Sequence, residues 1–202
     1  NTKESIFEIQ CLGGTSANPY SKYYQGFFPN TNIFSFYGGG MNQVTDDLWN
    51  EYETGDARRD LSISPGYQNG TTFVSQKYPK KWNDPTAVIL GGTAIANNNF
   101  MIYRYADLLL MLAEATSDAN YLNLVRARAG LPGTSAVSQA DVRTAIWNER
   151  RVELAMEHDR FWDLVRQGRA AQVMIASGKM NFVAGKNELL PIPSSEIAVD
   201  GG

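Results

Sequence analysis

The sequence has few of the residues on which several kinds of site depend. Of its 202 residues, one is cysteine and one is histidine. Cys11 has no second cysteine with which to form an internal disulfide, and His158 has no histidine or cysteine partner for a zinc site. We interpret both residues as structural. The sequence predicts no metal site and no cofactor.

Long apolar runs and a strong charge of one sign are also missing. No run of about 18 apolar residues occurs, so we expect no segment that spans a membrane. Residues 1–10 do not contain a basic region followed by an apolar run, which is the pattern of a signal peptide. We therefore expect either a cytosolic protein or one whose export signal lies outside this sequence. The formal net charge of −3 gives no electrostatic reason to expect a nucleic-acid partner.

The remaining composition is ordinary for a globular protein, with 43% hydrophobic and 19% charged residues. The chain changes character near residue 100. Residues 1–100 are predicted to form a loop-rich aromatic region with short strands and one helix, which begins at Thr45. Gly55 is predicted to end this helix, and GDARRD at 55–60 is predicted to be a turn. Residues 101–202 are predicted to form helical hairpins and an extended C-terminal tail.

The predicted helices of the second half follow apolar periodicity and capping signals. They cover 101–117, 120–129, a segment that begins after Ser138, 161–167 and 170–176. The tail at 188–197, ELLPIPSSEI, is predicted to be extended because it holds two prolines one residue apart. Paired antiparallel helices of this kind are typical of helical repeat proteins, although at most one such hairpin, at 101–129, is visible.

Six segments of the chain carry a family resemblance. They are ESIFEIQ at 4–10, DLWNEYETGDARRD at 47–60, RYADLLLMLAEA at 104–115, LNLVRARAGLP at 122–132, IWNERRVELAMEHDRFWDLVRQG at 146–168 and NELLPIPSSEI at 187–197. In this order they resemble the C-terminal part of the SusD/RagB family of nutrient-binding lipoproteins from Bacteroidetes. The stretch from NERRVEL to DLVR and the ELLPIP tail are the specific parts of the match.

The resemblance implies a mainly α fold, an α-helical superhelix of tetratricopeptide-like hairpins with long irregular loops. It also implies a protein that is not an enzyme. Family members lie on the outer face of the outer membrane and deliver oligosaccharides to a TonB-dependent, SusC-like transporter. The N-terminal lipid that holds them there, and most of their repeat hairpins, have no counterpart in these residues.

Sugar binding requires flat apolar rings beside amide and carboxylate groups, because sugars present patches of C–H groups surrounded by hydroxyls. Residues 18–37 supply both kinds of group, and the Trp82 region supplies a second cluster. The candidate ligand-binding residues are Asn18, Tyr20, Tyr23, Tyr24, Asn30, Phe34, Tyr37 and Trp82. An alternative is that these rings pack the loop onto the helices, in which case the protein is a helical-repeat adaptor for other proteins and has no sugar site.

A catalytic interpretation depends on the acids between residues 46 and 60. Paired carboxylates are the machinery of glycoside cleavage. Most of these acids, however, fall at or after one helix start, where negative charge favours the helix dipole. They also lack the residue order of a calcium loop. We therefore predict that the protein is not an enzyme.

Residues 148–168 are dense in charge, yet Glu149 shares a helix face with the apolar residues Val142, Ile146 and Met156. A carboxylate that points inward must be paired, since an unpaired buried charge costs several kcal/mol. The candidate partners are Arg126, Arg128, Arg150 and Arg160. The sequence predicts a structural charge network, without ligand contact, that contains Glu149, Arg150, Glu153 and Arg160.

Overall fold

The computed structural model describes residues 3–15, 17 and 19–200. Asn18, one of the predicted sugar contacts, lies outside the described residues. By its internal contacts the chain forms two compact units, Asn1–Met156 and Glu157–Gly202. The predicted change of character near residue 100 stays a prediction.

In the described part of the first unit, short strands and short helices lie before residue 105 and the longer helices follow it. The strands are β1 (Ser5–Ile9), β2 (Ile63–Ser64), β3 (Tyr67–Asn69), β4 (Thr72–Val74), β5 (Tyr78–Pro79), β6 (Val88–Leu90), β7 (Thr93–Ile95) and β8 (Phe100–Arg104). The helices are α1 (Tyr23–Phe27), α2 (Asp46–Glu51), α3 (Ala57–Ser62), α4 (Tyr105–Thr116), α5 (Ala119–Arg128) and α6 (Gln139–Glu153).

The strands form antiparallel pairs rather than one continuous sheet. β1 pairs with β8, β2 with β5, β3 with β4, and β6 with β7. The β3–β4 and β6–β7 pairs are local hairpins, whereas β1 and β8 lie far apart in the sequence and place Phe7 opposite Tyr103. Isolated two-stranded pairs have little stability of their own, so packing against neighbouring elements holds them.

The main core of the first unit lies between α4, α5 and α6. α4 ends at Thr116, and the next residue, Ser117, turns the chain with a positive φ of 55°. The Asp118 side chain then accepts a hydrogen bond from the Asn120 N–H at the start of α5. This short connection makes α4 and α5 an antiparallel hairpin, as the sequence predicts. The fully buried residues of this core include Leu110, Leu122 and Ile146.

The structure corrects three of the predicted elements. Residues 100–104 are not helical, because they pair with the distant strand β1 before α4 begins at Tyr105. The segment GDARRD is not a turn alone, since Asp56 caps helix α3 by accepting from the Arg58 N–H at 2.9 Å. α6 ends at Glu153, so Met156 lies beyond it with a positive φ of 67°, although its side chain is buried.

The second unit contains α7 (Arg160–Arg166), α8 (Ala170–Ala176) and α9 (Ser194–Asp200). Gly168, with φ of 68°, lies between α7 and α8. The tail was predicted to be extended, but its last residues form α9 directly after Pro193. Proline is tolerated at a helix start, because the N–H that it lacks has no partner within the helix there. Among the described residues, no helix combines the length and the apolar character needed to cross a membrane.

Candidate binding surface

Most of the aromatic rings predicted to bind sugar pack against other aromatic rings of the protein. Tyr24 and Phe34 each meet the buried Phe28 edge to face, with ring centroids 4.8 Å and 4.9 Å apart. Tyr23 lies 5.0 Å from Trp82, which is only 5% exposed and donates its indole N–H to the Met156 carbonyl at 3.0 Å. These four predicted residues hold the loop region together and offer little open ring surface.

Tyr37 differs from these rings because 58% of it is exposed on a loop whose backbone is fixed. The preceding Phe36 is buried in the aromatic cluster. The following Gly38 donates its N–H to the Thr31 carbonyl at 3.2 Å. A Cβ at Gly38 would lie 2.0 Å from the Pro29 carbonyl oxygen, so no larger residue fits there without moving the backbone. The ring of Tyr37 is therefore held out by a rigid support.

Residues with amide side chains lie next to Thr31, whose backbone is hydrogen-bonded to the residue after Tyr37. Asn30 and Asn32 are exposed on both sides of Thr31, the residue that accepts from Gly38. Gln25 joins Tyr37 to β7, because its amide donates to the Tyr37 carbonyl at 3.0 Å and accepts from the Ala94 N–H at 3.0 Å. We call Tyr37, Asn30 and Asn32 the Tyr37 surface. It combines an open ring with amides that can donate and accept hydrogen bonds.

Among the predicted contacts, Tyr37 and Asn30 are thus both exposed, on segments that the hydrogen bond between Gly38 and Thr31 joins. Tyr20 is half-buried, and the Lys22 ammonium lies 6.0 Å from its ring centroid. The sugar-contact role of all these residues stays a prediction.

A cavity in the second unit has a similar composition and was not predicted from the sequence. Its volume is about 530 Å³, within the range of small-molecule sites. The rings of Phe161 and Phe182 meet edge to face at 6.4 Å, and the amides of Asn181 and Asn187 complete the lining with Lys179. The ring and amide side by side at Asn181 and Phe182 are the only sequence signal that could have indicated it.

The predicted charge network centres on two buried carboxylates of α6. Glu149 accepts from Arg58 at 2.6 Å and from Arg126 at 3.1 Å. Glu153 accepts from Arg58 at 2.8 Å and from Arg104 at 2.5 Å, and it also pairs with Arg128. Sequence reasoning identified Arg126 and Arg128 as candidate partners but missed Arg58 and Arg104.

The other two members of the predicted network, Arg150 and Arg160, also have acidic partners. Arg150 donates to Asp107 of α4 at 2.7 Å. Arg160 lies in the second unit, 4.0 Å from Asp163.

The surroundings of the two glutamates shift their pKa values in opposite directions. Burial tends to raise the pKa of Glu153, but Arg104 and Arg128, with a hydrogen bond from Arg58, lower it to about 2. Burial raises the pKa of Glu149 against the opposing effect of Arg58 and Arg126. Burial tends to lower the pKa of Arg58, but the carboxylates of Asp56, Glu149 and Glu153 outweigh it and raise the pKa, so Arg58 remains a cation.

Comparison with known proteins decides the family. The model of the SusD family matches residues 62–202, which is more than half of the chain. The chain belongs to the SusD family. Among its relatives from Formosa agariphila, SusD-like protein P25 is 30% identical over 183 residues, which cover 82% of this chain and 34% of that protein. SusD-like protein P2 is 26% identical over 235 residues, covering 96% and 46% respectively.

Solved structures of SusD-like proteins have the same fold. A laminarin binding SusD-like protein is 30% identical with a TM-score of 0.75, over 96% of this chain and 48% of that one. Surface glycan-binding protein A from Bacteroides thetaiotaomicron, in complex with laminarihexaose, is 25% identical with a TM-score of 0.76, over 97% and 50%. The mainly α, SusD-like fold is therefore confirmed. The chain spans half or less of the length of these proteins.

The acids considered for catalysis in this SusD-family chain all have cationic partners. The pairs are Asp46 with Lys77, Asp47 and Glu51 with Arg151, Glu53 with Arg126, Asp56 with Arg58, and Asp60 with Arg59. Arg126 lowers the pKa of Glu53, and Arg59 lowers the pKa of Asp60. A general acid for glycoside cleavage needs a raised pKa instead. In the part of the chain that the structure describes, no group of three or more histidine, cysteine or acidic residues is arranged to hold a metal ion.

Proposed function

We propose that this protein binds oligosaccharides at the cell surface and does not cleave them. The observation that carries the proposal is the similarity to SusD-family proteins whose names state a glycan ligand. One is the laminarin binding SusD-like protein at 30% identity, and another is surface glycan-binding protein A in complex with laminarihexaose at 25% identity. The ion pairing of the acids between residues 46 and 60 supports binding over hydrolysis.

Within this function, the Tyr37 surface is the proposed sugar contact of the first unit. An open ring on a fixed loop stacks on a pyranose face without losing backbone entropy, and the neighbouring amides accept and donate to its hydroxyls. Aromatic stacking contributes about 0.5–1.5 kcal/mol. Loss of the ring is therefore expected to weaken binding by roughly two- to thirteenfold.

The test is calorimetric titration of the natural protein with a panel of oligosaccharides that includes laminarihexaose, maltohexaose and xylohexaose. Tyr37→Ala is expected to weaken binding of the sugar that binds, whereas Tyr37→Phe keeps the stacking ring and most of the affinity. Phe73→Ala is the matched control, because Phe73 is another exposed ring, on β4. Circular dichroism checks that each variant is folded.

The outcomes separate the function from its site. If none of a broad panel of oligosaccharides binds the folded natural protein, the proposed function is wrong. If a sugar binds but Asn181→Ala weakens it and Tyr37→Ala does not, the function stands and the site lies in the cavity of the second unit. The adaptor alternative expects no sugar binding, and expects Tyr37→Ala at most to destabilise the protein.

We further propose that the natural protein is held at the outer membrane by an N-terminal lipid and delivers its sugar to a SusC-like TonB-dependent transporter. The family membership of the chain supports this partnership. The test is purification of the natural protein from detergent-solubilised outer membranes. A TonB-dependent transporter is expected in the same complex, and its consistent absence would contradict the partnership.

The proposal that the protein does not cleave its ligand has a test of its own. The number of reducing ends should not increase when the protein is incubated with the oligosaccharide that it binds.

A further inference from the structure

The side chain of Gln25 connects three segments of the first unit. Gln25 lies in α1, and its Nε2 donates to the Tyr37 carbonyl at 3.0 Å and to the Gly92 carbonyl at 3.4 Å. Its Oε1 accepts from the Ala94 N–H at 3.0 Å. One amide of α1 therefore binds the backbone at Tyr37, the turn between β6 and β7, and β7 itself.

The surroundings of this amide fix its orientation. Two carbonyl oxygens lie at its nitrogen and one N–H lies at its oxygen. Exchanging the nitrogen and oxygen of Gln25 would place donor against donor and acceptor against acceptor. Both hydrogens of the amide nitrogen have partners in the protein, so the side chain is held at both ends.

The contact with Tyr37 has the clearest consequence. Among the described residues, no group other than the Gln25 side chain forms a hydrogen bond with Tyr37. The residues that follow are attached through their backbones, since the Gly39 N–H donates to the Gln25 carbonyl and the Met41 N–H to the Gly26 carbonyl, each at 2.9 Å. No side-chain substitution removes these two bonds. Loss of the Gln25 amide therefore frees the backbone at Tyr37 and leaves the rest of the loop attached.

We infer that Gln25 is a positioning residue, which fixes the direction of the Tyr37 ring and thereby sets the sugar affinity of the Tyr37 surface. The inference rests on the proposed function. A ring whose backbone is fixed before binding loses little conformational entropy when a sugar stacks on it, whereas a loose ring must first be ordered. Gln25 acts through the ring, because its own amide is occupied by protein groups.

The test measures the affinity of the natural protein for laminarihexaose, maltohexaose and xylohexaose by calorimetric titration. Gln25→Met has nearly the same shape without the hydrogen bonds, and it should weaken binding by roughly two- to tenfold. Gln25→Glu keeps an oxygen that can accept from Ala94 but places a second oxygen against the Tyr37 carbonyl. It should weaken binding at least as much, whereas it would be harmless if Gln25 acted through β7 alone.

A double-mutant cycle with Tyr37→Ala separates positioning from a general loss of stability. In the Tyr37→Ala background, Gln25→Met should weaken binding no further, because the ring through which Gln25 acts is gone. Gln76→Met is the matched control. Gln76 also uses both ends of its amide, since it donates to Gln43 at 2.9 Å and accepts from the Tyr67 hydroxyl at 3.4 Å. Its replacement should leave the affinity unchanged.

Amide hydrogen exchange gives a readout that needs no sugar. Exchange at Gly38 and Gly39 should be at least about threefold faster in Gln25→Met than in the natural sequence, and unchanged in Gln76→Met, because local opening of the loop becomes easier. Equal exchange rates in Gln25→Met and the natural sequence would overturn the inference. An affinity that Gln25→Met leaves unchanged, or lowers equally with and without the Tyr37 ring, would overturn it as well.

The outcomes also distinguish this inference from the proposed function. If a sugar binds and Tyr37→Ala weakens its binding while Gln25→Met does not, the inference is wrong and the proposed function stands. If none of a broad panel of oligosaccharides binds the folded natural protein, the proposed function is wrong and the inference falls with it.

Discussion

At the scale of single residues, the most consequential side chain is Glu149. It is only 3% exposed, and a carboxylate at that depth is stable as an anion only because two arginines donate to it. Arg126 connects this buried acid to an exposed one, since it also binds Glu53 at 2.7 Å. The same arginine thus offers a direct comparison between a buried and an exposed partner.

Replacing Glu149 by Gln should lower stability by about 3 kcal/mol, the lower end for breaking a buried pair, because Arg58 and Arg126 keep other carboxylates. The melting temperature of the first unit should fall by roughly 6–12 °C. Glu53→Gln, on a residue that is 54% exposed, should cost at most about 1 kcal/mol. Calorimetry measures both variants, and sugar affinity should be unchanged in each folded protein. Equal costs for the two, or lost sugar binding at unchanged stability, would contradict a purely structural role for Glu149.

The burial of Glu149 could be predicted from the sequence, but one of its two partners could not. The periodicity of α6 predicted that Glu149 points inward, and the structure buries it. Arg58 was not identified, because it lies 91 residues away in a segment that was expected to be a turn. Tyr37 and Trp82 have the same aromatic character in the sequence. Only the packing distinguishes the exposed ring from the buried one.

At the scale of secondary structure, elements with local signals could be predicted and those with distant partners could not. The predicted bounds of α5, α7 and α8 agree with the structure to within one residue, because caps and helix-ending residues lie in the segments themselves. The first turn of the helix predicted at 101–117 is instead strand β8, because β1 supplies a partner nearly 100 residues away. The cavity of the second unit depends likewise on how the turns after α8 fold back.

The start of α6 is a local signal whose energy can be measured. The Ser138 hydroxyl oxygen accepts from the Asp141 N–H at 3.1 Å and the hydroxyl donates to the Asp141 carboxylate at 2.6 Å. Ser138→Ala should cost about 1 kcal/mol by removing this cap, which corresponds to a fall of about 2–4 °C in melting temperature. Ser138→Thr keeps a hydroxyl and should lose much less. If both substitutions cost the same, the cap is not what stabilises the start of α6.

At the scale of the whole molecule, the charge network connects the elements of the first unit around α6. Glu153 alone pairs with Arg58 of α3, Arg104 at the end of β8 and Arg128 of α5. Arg104 and Arg128 also bind Glu4, just before β1. Segments from both halves of the sequence therefore depend on one carboxylate being ionised. A fall in pH that protonates Glu153 weakens the ion pairs to all of these segments together.

This arrangement predicts a loss of stability in acid. The pKa of Glu153 is about 2 in the folded protein, compared with 4.5 as its ordinary value. The unfolded chain therefore binds the proton more tightly, so the stabilisation is complete above about pH 5 and is lost as the pH falls toward 2. The shift corresponds to about 3 kcal/mol. Lowered pKa values of Glu4 and Glu53 act in the same direction, whereas the raised pKa of Glu149 opposes them.

Urea unfolding at pH 7, 5 and 3 measures this dependence. The free energy of unfolding should change little between pH 7 and 5 and fall by a few kcal/mol at pH 3. Between pH 5 and 3 the carboxylates of the unfolded chain bind protons that Glu153 in the folded protein does not bind. Glu153→Gln should be less stable than the natural sequence at pH 7 and should show a flatter profile between pH 5 and 3. A parallel loss in both proteins would mean that other carboxylates control the acid response, and that Glu153 is not the residue on which these segments depend.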